Sequence, residues 1–76
     1  AVAGDYWKTA TIGEIFLIQK KYREAGEMYA KAVAMARTEK GSHESSWLQA
    51  KRLMEKLKPT DEERAMIREA FKHLPE

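Results

Sequence analysis

Apolar residues recur at helical spacing in four stretches of the chain, separated by short polar breaks. The first runs from Asp5 to about Lys20. Trp7, Ala10, Leu17 and Ile18 fall near one stripe, and Ile12, Ile15 and Phe16 widen it. So broad an apolar surface predicts a helix touched by neighbours on more than one side. Asp5 is the expected N-cap, since its carboxylate can accept from an orphan backbone N–H of the first turn. The second stretch, from Tyr22 to about Thr38, places Tyr22, Ala25, Tyr29, Ala32, Val33 and Ala36 on one face. Met28 and Met35 form a stripe beside it, and Glu27 and Lys31 stand in the order that favours a pair worth ~0.2–0.5 kcal/mol.

Residues 39–44 read as a connection, with Gly41 the expected stop of the second helix because glycine tolerates a left-handed backbone. A third helix is predicted from near Ser45 to Leu57, lined by Trp47, Ala50, Leu53, Met54 and Leu57. Pro59 then disfavours helical backbone at Lys58 and cannot continue a helix itself. Thr60 and Glu63 have the spacing of a capping box, and Asp61, Glu62 and Glu63 sit where the helix dipole favours carboxylates. The fourth helix is expected to reach about Lys72 and to bury Ile67, Ala70, Phe71 and Leu74, with Pro75 closing it.

Four short helices in 76 residues make one domain, residues 1–76, of all-α class. Chains this small hide only ~60% of the surface exposed when unfolded, so stability rests on tight helix packing or on neighbours. Zero cysteines remove disulfides and thiolate metal sites and fit a cytoplasmic setting. The start Ala1-Val2-Ala3-Gly4, without an initiator Met, suggests a piece of a longer protein, or a processed or engineered start. The longest aliphatic or aromatic run, Ile15 to Ile18, falls far short of the ~20 residues of a membrane span, so no membrane partner is expected.

Read from Gly13, the chain gives Gly13, Phe16, Tyr22, Ala25, Tyr29 and Ala32. That order and spacing resemble the tetratricopeptide repeat, in which a small residue and an aromatic of one helix meet an Ala–aromatic–Ala ladder on the next. The physical logic is readable without the family: Gly13, Ala25 and Ala32 permit close approach, and Tyr29 fills the space between. The family's early Trp position falls on Thr9 and its closing Pro on Arg37, and a second repeat through Trp47, Ala50, Met54 and Ala70 requires an insertion in the link. The resemblance implies stacked antiparallel helix pairs, a fragment of an α–α superhelix; an unrelated four-helix bundle is the rival architecture. Asp5-Tyr6-Trp7, with Ala10-Thr11-Ile12, Glu14, Tyr22, Ala25 and Ser46-Trp47, is similar to the TRAF-binding, tetratricopeptide-like region of apoptosis signal-regulating kinases and to related bacterial proteins. This narrower resemblance covers roughly residues 5–57 and implies a regulatory or scaffold segment.

Candidate chemistry is sparse. His43 falls in the link and His73 near the end of the last helix, neither at a metal-ligand spacing. Both read as solvated or cap-associated, and a helix C-terminus would favour the charged form of His73. The serines of residues 42–46 lack a nucleophile elbow and no phosphate loop is present, so no enzyme, cofactor or metal is expected. The net charge of +2 is too mild to point to nucleic acid. A small helical nucleic-acid binder using Lys51, Arg52, Lys56 and Lys58 is kept as a rival reading. In the repeat reading, the first helix of each pair lines a concave face, which puts Trp7, Ala10, Glu14 and Leu17 in a partner groove. Ala10 and Glu14 stand where chaperone-binding repeats carry the Lys and Asn that clamp a terminal carboxylate, so such tails are disfavoured. The expected function is therefore a protein-interaction or scaffold module, holding a partner helix or extended segment, within a larger signalling protein. Self-association is the alternative.

Overall fold

A computed structural model describes the backbone of residues 2–76 and the side chains of residues 4–76. It is all-helical, with α1 (Val2–Ile18), α2 (Tyr22–Met35), α3 (Lys40–Leu57) and α4 (Asp61–Ala70). Among the described residues no helix is long and apolar enough to cross a membrane.

The first turn, residues 19–21, reverses the chain so that α1 and α2 pack as an antiparallel pair. It closes as a Schellman motif: Lys21 N–H donates to the Phe16 carbonyl at 2.9 Å and Lys20 N–H to the Leu17 carbonyl at 2.9 Å. Lys20 takes the left-handed backbone there, at φ 63°, a position that glycine usually fills. Across the pair Gly13 lies against α2, where a methyl group would meet the Ala25 carbonyl oxygen and the Tyr29 ring at 3.3 Å. The close approach read from the small residues is thus present.

The second extensive contact is α2 on α4. Gly26 makes it possible, because a methyl group there would stand 2.5 Å from the Met66 carbonyl oxygen. Tyr29 then meets Phe71 with ring centroids 5.2 Å apart. Contacts that rise together in sequence number mean that α2 and α4 run parallel. The smaller contact of α1 on α3 runs the same way, from Tyr6 beside Ser42 and Ser46 toward Glu14 and Gln49. Two helix hairpins therefore lie side by side, and within the second one α3 and α4 are bridged by large side chains, chiefly Trp47 against Phe71 at 5.5 Å.

The core holds Tyr6, Leu17, Tyr22, Ala25, Tyr29, Ala32, Trp47, Ala50, Met54, Ile67, Phe71 and Leu74, all buried, with Phe16 packed against them. Several expectations are corrected. Asp5 is inside the first turn of α1, not its cap, because the helix already begins at Val2. Ile12, Ile15 and Ile18 are 42%, 50% and 53% exposed, so only one side of the apolar surface of α1 is covered. Helix α2 stops at Met35, three residues early, and α3 begins at Lys40, about five early. Gly41 is helical without a positive φ. Buried partners for His43 and Ser46 outweigh the ~0.5–1 kcal/mol that a glycine costs in a helix. Glu27 and Lys31 form no ion pair; Arg64–Glu76 and Lys72–Glu69 are the salt bridges among the described residues.

The capping box of α4 is complete. Glu63 N–H donates to Thr60 Oγ1 at 3.2 Å, and Thr60 N–H donates to Glu63 Oε1 at 2.8 Å. Helix α4 ends at Ala70, after which Arg68 donates to the carbonyls of Phe71 at 3.0 Å and Leu74 at 2.6 Å. That fixes a tight C-terminal turn and seats Phe71 and Leu74 in the core.

The glycines give a test with opposite signs. Gly26→Ala forces α2 and α4 apart and is expected to cost about 1–3 kcal/mol, as overpacking does. Gly41→Ala meets nothing within 4 Å and should stabilise by about 0.5–1 kcal/mol. Urea unfolding of the two variants against the parent chain measures both. A destabilising Gly41→Ala would contradict the helical assignment of residues 40–44.

Candidate functional site

The clearest concavity lined by predicted residues lies between α1 and α3. It is an open cleft of about 230 Å³ walled by Trp7, Ala10, Thr11 and Glu14 on one side and Ser45, Ser46 and Gln49 on the other, with Tyr29 reaching it from α2. Residues 7, 10, 11 and 14 share one helical face, which is why they line it together. Trp7 is 46% exposed and packs edge-on against Tyr6, centroids 5.1 Å apart. Three of the four predicted groove residues are thereby brought to one cleft. Leu17 is not: it is fully buried between the helices, because a step of three beyond Glu14 rotates it back toward α2. Thr11, Ser45, Ser46 and Gln49 were missed. Thr11 follows from the face of α1, but the α3 residues needed the register of α1 on α3, which no spacing in the chain encodes.

A buried polar seam sets that register. Tyr6 is fully buried, and its hydroxyl donates to the Ser42 carbonyl at 3.1 Å and shares a hydrogen bond with Ser46 Oγ at 2.8 Å. Burial pushes the Tyr6 phenol above its ordinary value, offset in part by the Ser46 bond, and the charge of Glu39 adds to the rise. Tyr29 is pushed up further, first by burial and then by Glu14 and Tyr6. Glu14 thus acts on the floor of the cleft through its charge.

Beside this seam the two histidines meet. His43 is 1% exposed; its Nε2 lies 2.7 Å from the Ala36 carbonyl oxygen and its Nδ1 lies 2.9 Å from His73 Nε2. The expectation of two separate, solvated histidines is corrected, since the start of α3 and the C-terminal turn converge on one point. The dipole argument for a charged His73 is corrected too. Its pKa is lowered, first by desolvation and then by His43, Lys40 and Arg68. No group of three or more potential metal ligands occurs among the described residues.

On the far side of α3, Trp47 is buried beneath a cluster of cations. Lys51 Nζ and the Arg68 guanidinium each lie 5.3 Å from its ring centroid, and that of Arg64 lies at 5.7 Å. Lys51 also donates to the Glu76 backbone oxygen at 3.1 Å, and Arg64 pairs with the Glu76 carboxylate. That pairing holds the Glu76 carboxyl below its usual range. Trp47 Nε1 is buried without a hydrogen-bond partner in the protein. Its role is core packing, with cation–π contacts worth ~0.5–1 kcal/mol each when exposed.

Compared with known proteins, the chain matches no family model, no curated protein and no solved structure. The cleft must be judged on its own residues.

The tyrosines test the polar seam. Tyr6, Tyr22 and Tyr29 all have raised pKa values in the folded chain, burial being the first cause of each. Folded-state values above the unfolded value of 10.0 mean that this contribution is complete below pH 10 and is lost as pH rises beyond it. Ultraviolet titration of the native chain should show phenolate forming later than in urea; coincident curves would contradict the burial of these rings. Tyr6→Phe leaves the buried Ser46 hydroxyl without its inter-helix partner and should cost about 1–3 kcal/mol.

Proposed function

We propose that this chain is a non-catalytic protein-interaction module of a larger signalling or regulatory protein, and that the α1/α3 cleft receives a partner helix or extended segment by shape complementarity. The observation that carries this reading is the cleft itself. At about 230 Å³ it is smaller than the ~300–1,000 Å³ of small-molecule sites, and it is open along one side. One or two side chains of a docked segment suit it better than a free metabolite. Trp7, half-exposed at its edge, is a residue type enriched in binding hot spots. Glu14, Ser45 and Gln49 supply a polar rim, and the negative charge of Glu14 favours a partner with neutral or basic side chains. With Ala10 and Glu14 in these places, capture of a peptide's terminal carboxylate is disfavoured.

The tetratricopeptide-like relationship belongs to the same proposal, as does the narrower likeness to the TRAF-binding region of apoptosis signal-regulating kinases. Support comes from the two side-by-side hairpins, from Gly13 against Ala25 and Tyr29, and from a cleft flanked by the first helix of each hairpin. The setting proposed is cytoplasmic. A second reading, self-association, is favoured by one observation: Ile12, Ile15 and Ile18 form an exposed apolar strip on α1 outside the cleft. The nucleic-acid reading is weakened because Lys51 is turned onto Trp47 and Glu76, which breaks up the basic stretch of α3.

Two variants separate the readings. Thr11→Arg with Glu14→Lys fills the cleft and reverses its charge, whereas Ile15→Glu alters only the outer strip. Both should retain full helicity. Partners captured from a lysate by the parent chain should be lost with the cleft variant, by tenfold or more, and kept with Ile15→Glu. Loss with Ile15→Glu alone, together with a concentration-dependent mass of the parent chain in sedimentation, would overturn the cleft in favour of self-association.

A further inference from the structure

We propose that His43 and His73 form a proton-operated latch, closed while the pair carries no more than one positive charge and opened by the second proton, that controls whether the C-terminal turn stays docked. Ala36 fixes where the first hydrogen sits. Its carbonyl oxygen can only accept, so His43 Nε2, 2.7 Å away, holds a proton in every closed state. In the neutral ring the lone pair is then on Nδ1, which faces His73 Nε2 at 2.9 Å. His73 must donate across that gap, its own Nε2 bearing the hydrogen.

The first proton is accommodated. It enters on Nδ1 of His73, on the exposed ring of the pair, and leaves the N–H···N bond in place with a charged donor. The second has only one position left, Nδ1 of the buried His43. Two N–H groups would then point at one another across 2.9 Å, between two positive rings. The bond that joined the rings becomes a repulsion. Two neighbouring groups reinforce this: Lys40 from α3 and Arg68 from α4 are both cationic. Tyr6 of α1, whose ring centroid lies 5.7 Å from that of His43, is neutral, and Glu39 of the link is the carboxylate near it. No third metal ligand accompanies the two imidazoles among the described residues, so the ligand that the geometry suits is the proton.

In the unfolded chain both imidazoles protonate near pH 6.5 without interference. The closed pair binds fewer protons than the unfolded chain once pH falls below that value, so stability falls as the solution is acidified. The part of the fold most directly tied to His73 is the turn of residues 71–76, which inserts Phe71 and Leu74 beside Trp47. Opening the latch loosens this turn before α1 and α2 respond. The Glu76 carboxyl is held below its ordinary value and titrates in a more acidic window, which separates the two events. This inference stands independently of what occupies the α1/α3 cleft.

The test compares the parent chain with His73→Gln. A glutamine amide can offer N–H to neutral His43 or its oxygen to the protonated ring, so the variant keeps a bond and removes the conflict. Urea unfolding at pH 7.5 and pH 5.0 should show the folding constant of the parent falling by about tenfold. The fall in His73→Gln should be smaller by at least that factor. Nitrogen-15 spectra at pH 7.5 should show neutral His43 carrying its hydrogen on Nε2. Hydrogen exchange at pH 5.0 should show amides of residues 71–76 losing protection ahead of those in α1 and α2. Equal pH dependence in parent and variant, or neutral His43 protonated on Nδ1, would overturn the latch.

Discussion

Helix α2 meets each of its two neighbours at a glycine, where backbone approaches backbone closely. Gly13 of α1 lies against the Ala25 carbonyl on one flank, and Gly26 lies against the Met66 carbonyl on the other. With both flanks drawn in this closely, α2 becomes the shared wall of the domain, and α1 and α4 can both reach Tyr29. A 76-residue chain without disulfides has few other means of covering a core. Larger residues at these two glycines would separate the layers and leave Tyr29, Phe71 and Leu17 with voids around them. The parallel course of α2 with α4, and of α1 with α3, then follows from connecting two hairpins with a short link.

Polar contacts decide what this scaffold displays. Apolar packing alone would leave α3 free to slide along α1, since Ala10 offers little shape to lock. Tyr6 prevents that by spending its hydroxyl on Ser42 and Ser46 inside the seam. A slide of one turn would strand the Tyr6 hydroxyl and take away the Ser46 Oγ partner, at ~1–3 kcal/mol for each group left unsatisfied. The same register sets Ser45 and Gln49 opposite Thr11 and Glu14 and thus gives the cleft its two walls. His43, one residue beyond Ser42, ties this seam to the end of α2 and to the C-terminal turn. Interior order and surface shape therefore share one set of hydrogen bonds.

Much of this was legible in residue spacing, and the gaps have physical causes. The α2 face from Tyr22 to Ala32, the capping box at Thr60 and the break at Pro59 depend on contacts within a few residues, which periodicity and capping chemistry report directly. Trp7, Ala10 and Glu14 were legible as one face of a helix for the same reason. Gly26 escaped notice because a glycine on the polar side of the α2 stripe gains meaning only from Met66, forty residues later. Tyr6 escaped because it lies between Asp5 and the apolar stripe, and its burial is set by Ser42 and Ser46. The start of α3 was misjudged because Gly41 and its serines favour a loop by intrinsic preference, and the contacts of His43 override them. His43 and His73, thirty residues apart, carry no sequence signal of their meeting.

That pattern bears on how the two faces of α1 are to be read. Its inner face is fixed by long-range bonds and close packing, so Leu17 and Tyr6 are fully buried although one is apolar and the other polar. Its outer face, with Ile12, Ile15 and Ile18, meets none of these constraints and keeps large apolar side chains in solvent. An apolar strip has a hydrophobic incentive to be covered but no built geometry to choose a partner. The cleft is the reverse: its walls are held in register, and it has a charge on its rim. On the reading proposed above, the strip would add affinity without selectivity, and selectivity would come from the cleft. A module whose function is recognition is therefore better sought where Tyr6 has fixed the walls than where the isoleucines stand exposed.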